Sequence, residues 1–557
     1  QQRVGTNFID TDEEFYQFSG GLKWQPNEYW TITPLVGYSS RTTERAWDLW
    51  SFRLANAAGA FDPGSVSYNI RGDFLDLTST ATDFASNPQN FLFNVLIRRP
   101  NEDKDTEFTA KIDLQRDFDG ALSNIKFGAR YSDRQKDRAV FQTRLQRPGT
   151  VATNVPPSLG NISNLIDFEV RGSNALGRTL VVDRDAAMAA FFPNGSPVTG
   201  TVINSNFRGS DANATFSINE KTFAAYGQAE FNIQDLNVVT GLRFVRTQQN
   251  STGFSVAALF QPSERITPVS VDSSYSIFLP SLAARWEVAQ DVIVRAAYSR
   301  TLTRPDLFAL APSENFGGID QSGGTGSIGN PNLQPFTSDN VDLGVEWYFD
   351  RDSFIGANIF HKSIDGFIDT RNFVENRTFP RQADGVLVTG PITFAQPVNG
   401  VSATITGLEV GAQSRLGFIA PALDNFGFIV NYSYTESSAD FAVVGDVRTR
   451  GLPGLSRNSY NAIAYFDNGT FDARFSYAWR DRYLAQFSDD FGIPRFTDAF
   501  GQLDFSSNYN INQNFSIQLQ ALNLTKAQVF NQSTGAFIPY SVTELDRRFL
   551  IGGRFKF

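Results

Sequence analysis

Residues able to do chemistry are scarce in this chain. Its 557 residues include one histidine (His361), one methionine and no cysteine. Without cysteine there is no disulfide, no thiol nucleophile and no Cys-containing zinc site. One histidine rules out a His-cluster metal site and leaves serine-triad chemistry a single candidate base. That residue lies in FHKSID (360–365), on the same parity as Ile355, Ala357 and Ile359. In a strand it therefore shares an apolar face, at a lipid interface. Two further motifs invite a chemical reading. GGTGSIGNPN (323–332) is glycine-rich but lacks the Gly-Lys-Ser/Thr ending that holds phosphate, so turn formation explains it better. FSDDFG (487–492) has paired carboxylates that suit Ca²⁺, but a solvated loop is the better reading. No catalytic, cofactor or metal residue is assigned, and the chain reads as a non-enzyme.

The bulk composition points the same way. Net charge is −10, so there is no basic footprint for nucleic acid. No apolar stretch approaches the roughly 18–20 residues of a membrane helix. The first ten residues have neither the basic nor the apolar region of a signal peptide. Aromatic residues make up 14% of the chain, with 52 Phe and 44 Gly. Those counts suit a bacterial outer-membrane barrel, which crosses lipid with strands.

The elements that carry these residues have period two. In 470–480, Phe471, Ala473, Phe475, Tyr477 and Trp479 oppose Asp472, Arg474, Ser476, Ala478 and Arg480. Segments 341–349, 426–434 and 548–557 alternate in the same way. Side chains alternate across a strand, so each segment has one apolar and one polar face. A soluble β-sandwich also alternates. Against it stand aromatic residues clustered at strand ends and connections that alternate short and long without a break. Short ones fall near 25–28, 118–121, 233–236, 287–291, 349–353, 417–425, 466–470 and 509–514. Long ones fall near 42–104, 139–217, 250–272, 303–337, 370–400, 439–455, 486–497 and 526–544. Membrane barrels have short periplasmic turns and long extracellular loops. The expected fold is an all-β, antiparallel transmembrane barrel with about seventeen strands visible. If the last strand ends in the periplasm, the first runs from outside inwards. An odd count then implies missing strands, because single-chain bacterial barrels have even numbers.

Several stretches resemble TonB-dependent outer-membrane receptors, of the proteobacterial group common in Caulobacter-, Sphingomonas- and Xanthomonas-like bacteria. They are SRTLTRPDLFALAP (299–312), GNPNLQPFTSDNVDLGVEWYF (329–349), ANIFHKSIDGFI (357–368), TITGLEVGAQSRLGF (404–418), QALNLTKAQVF (520–530) and RRFLIGGRFKF (547–557). The resemblance implies a 22-strand barrel around an N-terminal plug. Residues 1–557 would then be the C-terminal portion of the barrel domain, with plug, TonB box and about five strands absent. Either the chain is part of a longer protein, or a second polypeptide supplies those parts.

The resemblance further implies active transport of a scarce ligand, driven through TonB and inner-membrane energising proteins. An oligosaccharide, a siderophore, a cobalamin-like molecule or an aromatic degradation product would serve, with a lean toward carbohydrate. Outer-membrane lipid is the surrounding partner, and no cofactor is implied. Arg295, Glu346, Asp472, Arg474, Arg480, Gln518, Gln520, Arg554 and Lys556 are expected to face the lumen and hold the plug; the bland alternative is that they solvate a channel or pair with each other. Trp47, Trp50, Tyr68, Phe91 and Phe93 are candidates for stacking on ligand, although local packing explains any one of them. GNPNLQP is expected to shape the outer vestibule. Phe549, Phe555 and Phe557 form the aromatic C-terminal signal for barrel assembly. Two rival functions fit the same residues: a receptor-like anchor for surface partners, and a passive porin.

Overall fold

A computed structural model describes residues 3–556, apart from 55–65, 72–73, 80–87, 147–158, 168–177, 199–200, 205–207, 258–264, 321–322, 351, 381–385, 444–445, 487–493 and 534–538. Seventeen strands form one antiparallel meander, numbered here as the wall. They are β1 (Arg3–Gly21), β2 (Trp30–Leu54), β3 (Phe91–Asp117), β4 (Leu122–Val140), β5 (Phe216–Ile233) and β6 (Leu236–Ala257). Next come β7 (Arg265–Ala289), β8 (Val292–Thr303), β9 (Phe336–Asp350), β10 (Ser353–Pro380), β11 (Leu387–Arg415) and β12 (Phe426–Val443). The last are β13 (Asn458–Asp467), β14 (Phe471–Arg480), β15 (Phe500–Asn510), β16 (Phe515–Leu522) and β17 (Arg548–Phe555). The connected sheet contains 22 strands in all, because five short extracellular pieces also hydrogen-bond to it. Among the described residues β1 pairs only with β2, and β17 only with β16.

The short turns are built by a repeated device. Asn27 Oδ1 accepts from the amides of Tyr29 and Trp30. Asn468 does the same for Thr470 and Phe471, and Asn512 for Asn514 and Phe515. An asparagine side chain thus mimics a backbone turn, three residues ahead of the aromatic that starts the next strand.

The apolar face is the exposed one, as expected of a lipid-facing surface. Val341, Leu343, Val345 and Trp347 are each about half exposed. On the polar face, aromatic rings lie over glycines and pin the register. Phe360 covers Gly407, Tyr465 covers Gly427, and Tyr226 crosses Gly128 to donate to Asp113 Oδ1 at 2.8 Å. A Cβ on Gly407 would collide with the Phe360 ring and lie 2.6 Å from the Tyr434 carbonyl oxygen. Gly407→Val is therefore expected to cost about 1–3 kcal/mol through overpacking. Urea titration of the folded barrel checks this; an unchanged midpoint would contradict it.

Above the membrane the long connections carry their own cores. Trp50, Phe52, Phe91, Phe93 and Leu96 of the wall pack with Leu159, Ile162, Leu180, Val182 and Phe191 of the β4–β5 connection, all at 5% exposure or less. The helix α1 (Arg184–Phe191) is capped by Asp183, whose Oδ1 accepts from Ala186 N at 2.9 Å.

Candidate functional site: the lumen and its mouth

Strand register fixes which residues share the polar, luminal face. Arg295 opposes Gly344, and Glu346 opposes Gly356. Asp472 and Arg474 oppose Asn508 and Ser506, which in turn oppose Gln518 and Gln520. Arg554 opposes Ser516. Seven predicted lumen residues, from Arg295 to Arg554, therefore lie on one face, and Arg480 makes the eighth. Three of them are already engaged. Arg295 donates to both carboxylate oxygens of Glu346 at 3.0 and 3.2 Å. Arg480 donates to Ser456 Oγ and the Gly454 carbonyl, and stacks 3.9 Å over Tyr483. For these three, pairing within the wall is the better reading. Among the described residues Asp472, Arg474 and Arg554 form no ion pair, and Gln518 and Gln520 no side-chain hydrogen bond.

The first strands pave the same face with paired charges. Arg134 binds Asp105 through two bonds, Arg130 binds Glu107, and Lys136 and Arg138 both approach Asp103. Such ladders neutralise a wet wall without covering it.

The aromatic ligand candidates need correction. Trp50, Phe91 and Phe93 are 0–1% exposed, in the core just described. Phe93 stacks on Phe191 at 4.3 Å, and Trp50 on Phe191 at 5.3 Å. Their apolar area is spent on folding the loops, so they have no face left for ligand. Trp47 is half-buried in β2. Tyr68 lies in the strand Val66–Arg71, opposite Leu77, with its side chain outside the described residues. Phe557 and FSDDFG also lie outside them. Phe549 and Phe555 share the lipid face of β17. His361 sits on the lipid side of β10, its Nδ1 2.8 Å from Thr406 Oγ1.

The connection 304–335, which contains GNPNLQP, folds inside the wall. Arg304 Nε lies 3.3 Å from Glu220 Oε1 and donates to Tyr275 Oη, while its Nη2 donates to Thr222 Oγ1. The Pro331 carbonyl accepts from Gln249 Nε2 and Ser273 Oγ. On the far side Asn330 Nδ2 donates to the Pro397 carbonyl, and Gln334 N to Asn399 Oδ1. Leu310 and Leu333, each 1% exposed, fill the space between Ile218 of β5 and Ile368 of β10. In the hairpin above, burial raises the Glu314 carboxyl pKa, while nearby Arg377 pulls it down. Sequence reasoning missed Arg304, Asn330 and Asn399 as structural partners. The Arg-Pro and Gly-Asn-Pro-Asn spacing was the available signal.

Two concavities open on the luminal face. One, of 510 Å³, is floored by Gly344, Gly356 and Gly411 and bounded by Arg295 and Glu346. The other, of 440 Å³, reaches up to Arg480 and Phe500. They share Glu409 and Ser433, so they form one polar groove.

A family model described as TonB dependent receptor-like, beta-barrel, matches residues 46–524. No curated protein sequence matches the chain. Among solved structures, it is similar to the ferric-catecholate import receptor Fiu from K12 E. coli. The TM-score is 0.56 at 14% identity, covering 99% of this chain and 64% of that one. The ferric citrate transporter FecA gives 0.51 at 11% identity, covering 98% and 70%. The copper transporter OprC gives 0.51 at 12%, covering 98% and 72%. At these identities the likeness concerns the fold. The chain spans just under two thirds of the first of these proteins.

Proposed function

This chain belongs to the TonB-dependent receptor β-barrel family, and we propose that it forms the wall of a receptor importing a scarce extracellular ligand with energy delivered through TonB. The carrying observation is the seventeen-strand meander with short turns at one end and long, cored loops at the other. Families of this fold are outer-membrane proteins, and this is one. Its work is transport through a hydrogen-bonding lumen, with no covalent substrate step. The ligand class is a nutrient such as a siderophore or an oligosaccharide, and the hydroxyl- and amide-rich groove favours a polar one.

Strand parity supports a barrel larger than the seventeen described strands. β1 and β17 are both odd-numbered in the meander and run the same way. They cannot close on each other as antiparallel neighbours, and no edge survives unpaired in lipid. Closure takes an odd number of further strands. Five would give the 22 of plugged transporters, supplied with the plug by more of this chain or by a second polypeptide. A surface anchor is the weaker reading, since anchoring does not require a luminal groove.

Transport is tested in cells expressing the complete receptor, with labelled ferric siderophores and labelled oligosaccharides as separate probes. Accumulation of one probe, lost on deletion of TonB, is expected. Accumulation that persists unchanged without TonB would sink the proposal.

A further inference from the structure

The segment 304–335 is better built than a moving loop needs to be. Its two legs bond to each other, Gly329 N to Ser313 O and Asn330 N to Ala309 O, both at 2.9 Å. They approach so closely that a Cβ on Gly329 would collide with the Ala311 carbonyl. Between the legs, the hairpin of Glu314–Asp320 and Gly323–Ile328 pairs in parallel with β6 on one side and β11 on the other. The hairpin therefore bridges two wall strands that lie five places apart in the meander. Beneath it, alternate inner-face residues of β6 are covered: Thr247 is 0% exposed, Gln249 5% and Ser251 0%. A second small core of Phe316, Ile392 and Phe394 seals the bridge from above.

We propose that segment 304–335 is a fixed inner partition that permanently closes the β5–β11 sector of the mouth, with Arg304 as its latch. It spans the sector as a chord, fastened at Glu220, Thr222 and Tyr275 on one side and at Pro397 and Asn399 on the other. The polar groove runs from Arg480 of β14 to Arg295 of β8, and its β12–β14 end lies outside the closed sector. Residues along this groove, among them Asn431, Ser433, Ser459 and Asn461, form no side-chain hydrogen bond among the described residues. In contrast, Gln249 and Ser273 under the partition both donate to its Pro331 carbonyl. The partition rests on these contacts within the wall and holds whichever ligand the receptor takes.

None of these 557 residues is a cysteine, so a labelled cysteine within them is the introduced one. Ser251→Cys is placed in the complete receptor in living cells and exposed to a charged, membrane-impermeant maleimide. Slow labelling is expected, at one rate with TonB present and with TonB deleted. Adding Arg304→Ala should raise the rate at least tenfold. Asn399→Ala, at a half-buried site on the opposite fastening, should raise it in the same direction if the Arg304 variant assembles poorly. Labelling that quickens several-fold when TonB is present would make the segment a gate and overturn the proposal. So would a rate that neither variant changes.

Discussion

Phe191→Ala is expected to unfold the extracellular loop domain while leaving the wall intact. The Phe191 ring is fully buried at the centre of the aromatic cluster, against Trp50, Phe52 and Phe93. Removing a buried phenylalanine side chain costs about 3–5 kcal/mol, part transfer and part cavity. The domain has few other holds on the wall. Val182 N donates to Thr6 Oγ1, and Arg184 bridges Asp10 and the 2%-exposed Asp48. Its local stability is of the order of the loss, so the loops should open and the barrel should not. Protease added to intact cells should cut within 178–198 in the variant alone, while urea resistance of the membrane-embedded wall stays put. Equal protection of both proteins would show that the cluster is not what holds the loops.

The second large effect tests which face meets lipid. On β9 the outer face carries Asp339, bound by Arg300 and Tyr298, at its upper end and Trp347 at its lower end. Eight residues separate them, roughly 27 Å along a strand and about 20 Å of height at barrel tilt, so both ends fall near the edges of the apolar band of about 25 Å. Leu343 is at its middle, 48% exposed. Leu343→Arg is expected to cost about 2–4 kcal/mol of folding stability in bilayers. Asp342→Arg, one residue away on the luminal side, should change stability by less than about 0.5 kcal/mol. Refolding into lipid vesicles with urea titration measures both. Equal effects would mean the faces are assigned wrongly.

Much of this was written in the alternation of residue types. The period-two faces of 341–349, 426–434, 470–480 and 548–557 are those of β9, β12, β14 and β17. The strand count also agrees, because turn residues and long polar stretches punctuate a meander without ambiguity. Loop interiors were not legible. Trp50, Phe91 and Phe93 lie in stretches too irregular for periodicity to tell a ligand face from a core. Only the arrival of Phe191, about a hundred residues on, decides it. Arg304 could not be matched with Glu220 either, since the pair forms across strands with no local spacing rule. Arg295 and Glu346 did share a face as read, but register alone showed that each satisfies the other.

The β10–β11 hairpin has 28 and 29 residues in its two strands, whereas crossing the bilayer takes about 10. The remaining 18 or so, tilted as barrel strands are, lift the tip roughly 40 Å above the lipid. Counterions at physiological strength screen charge over about 8 Å. The mouth therefore stands several screening lengths clear of the phosphate layer. A charge at that height feels little of the lipid phosphates.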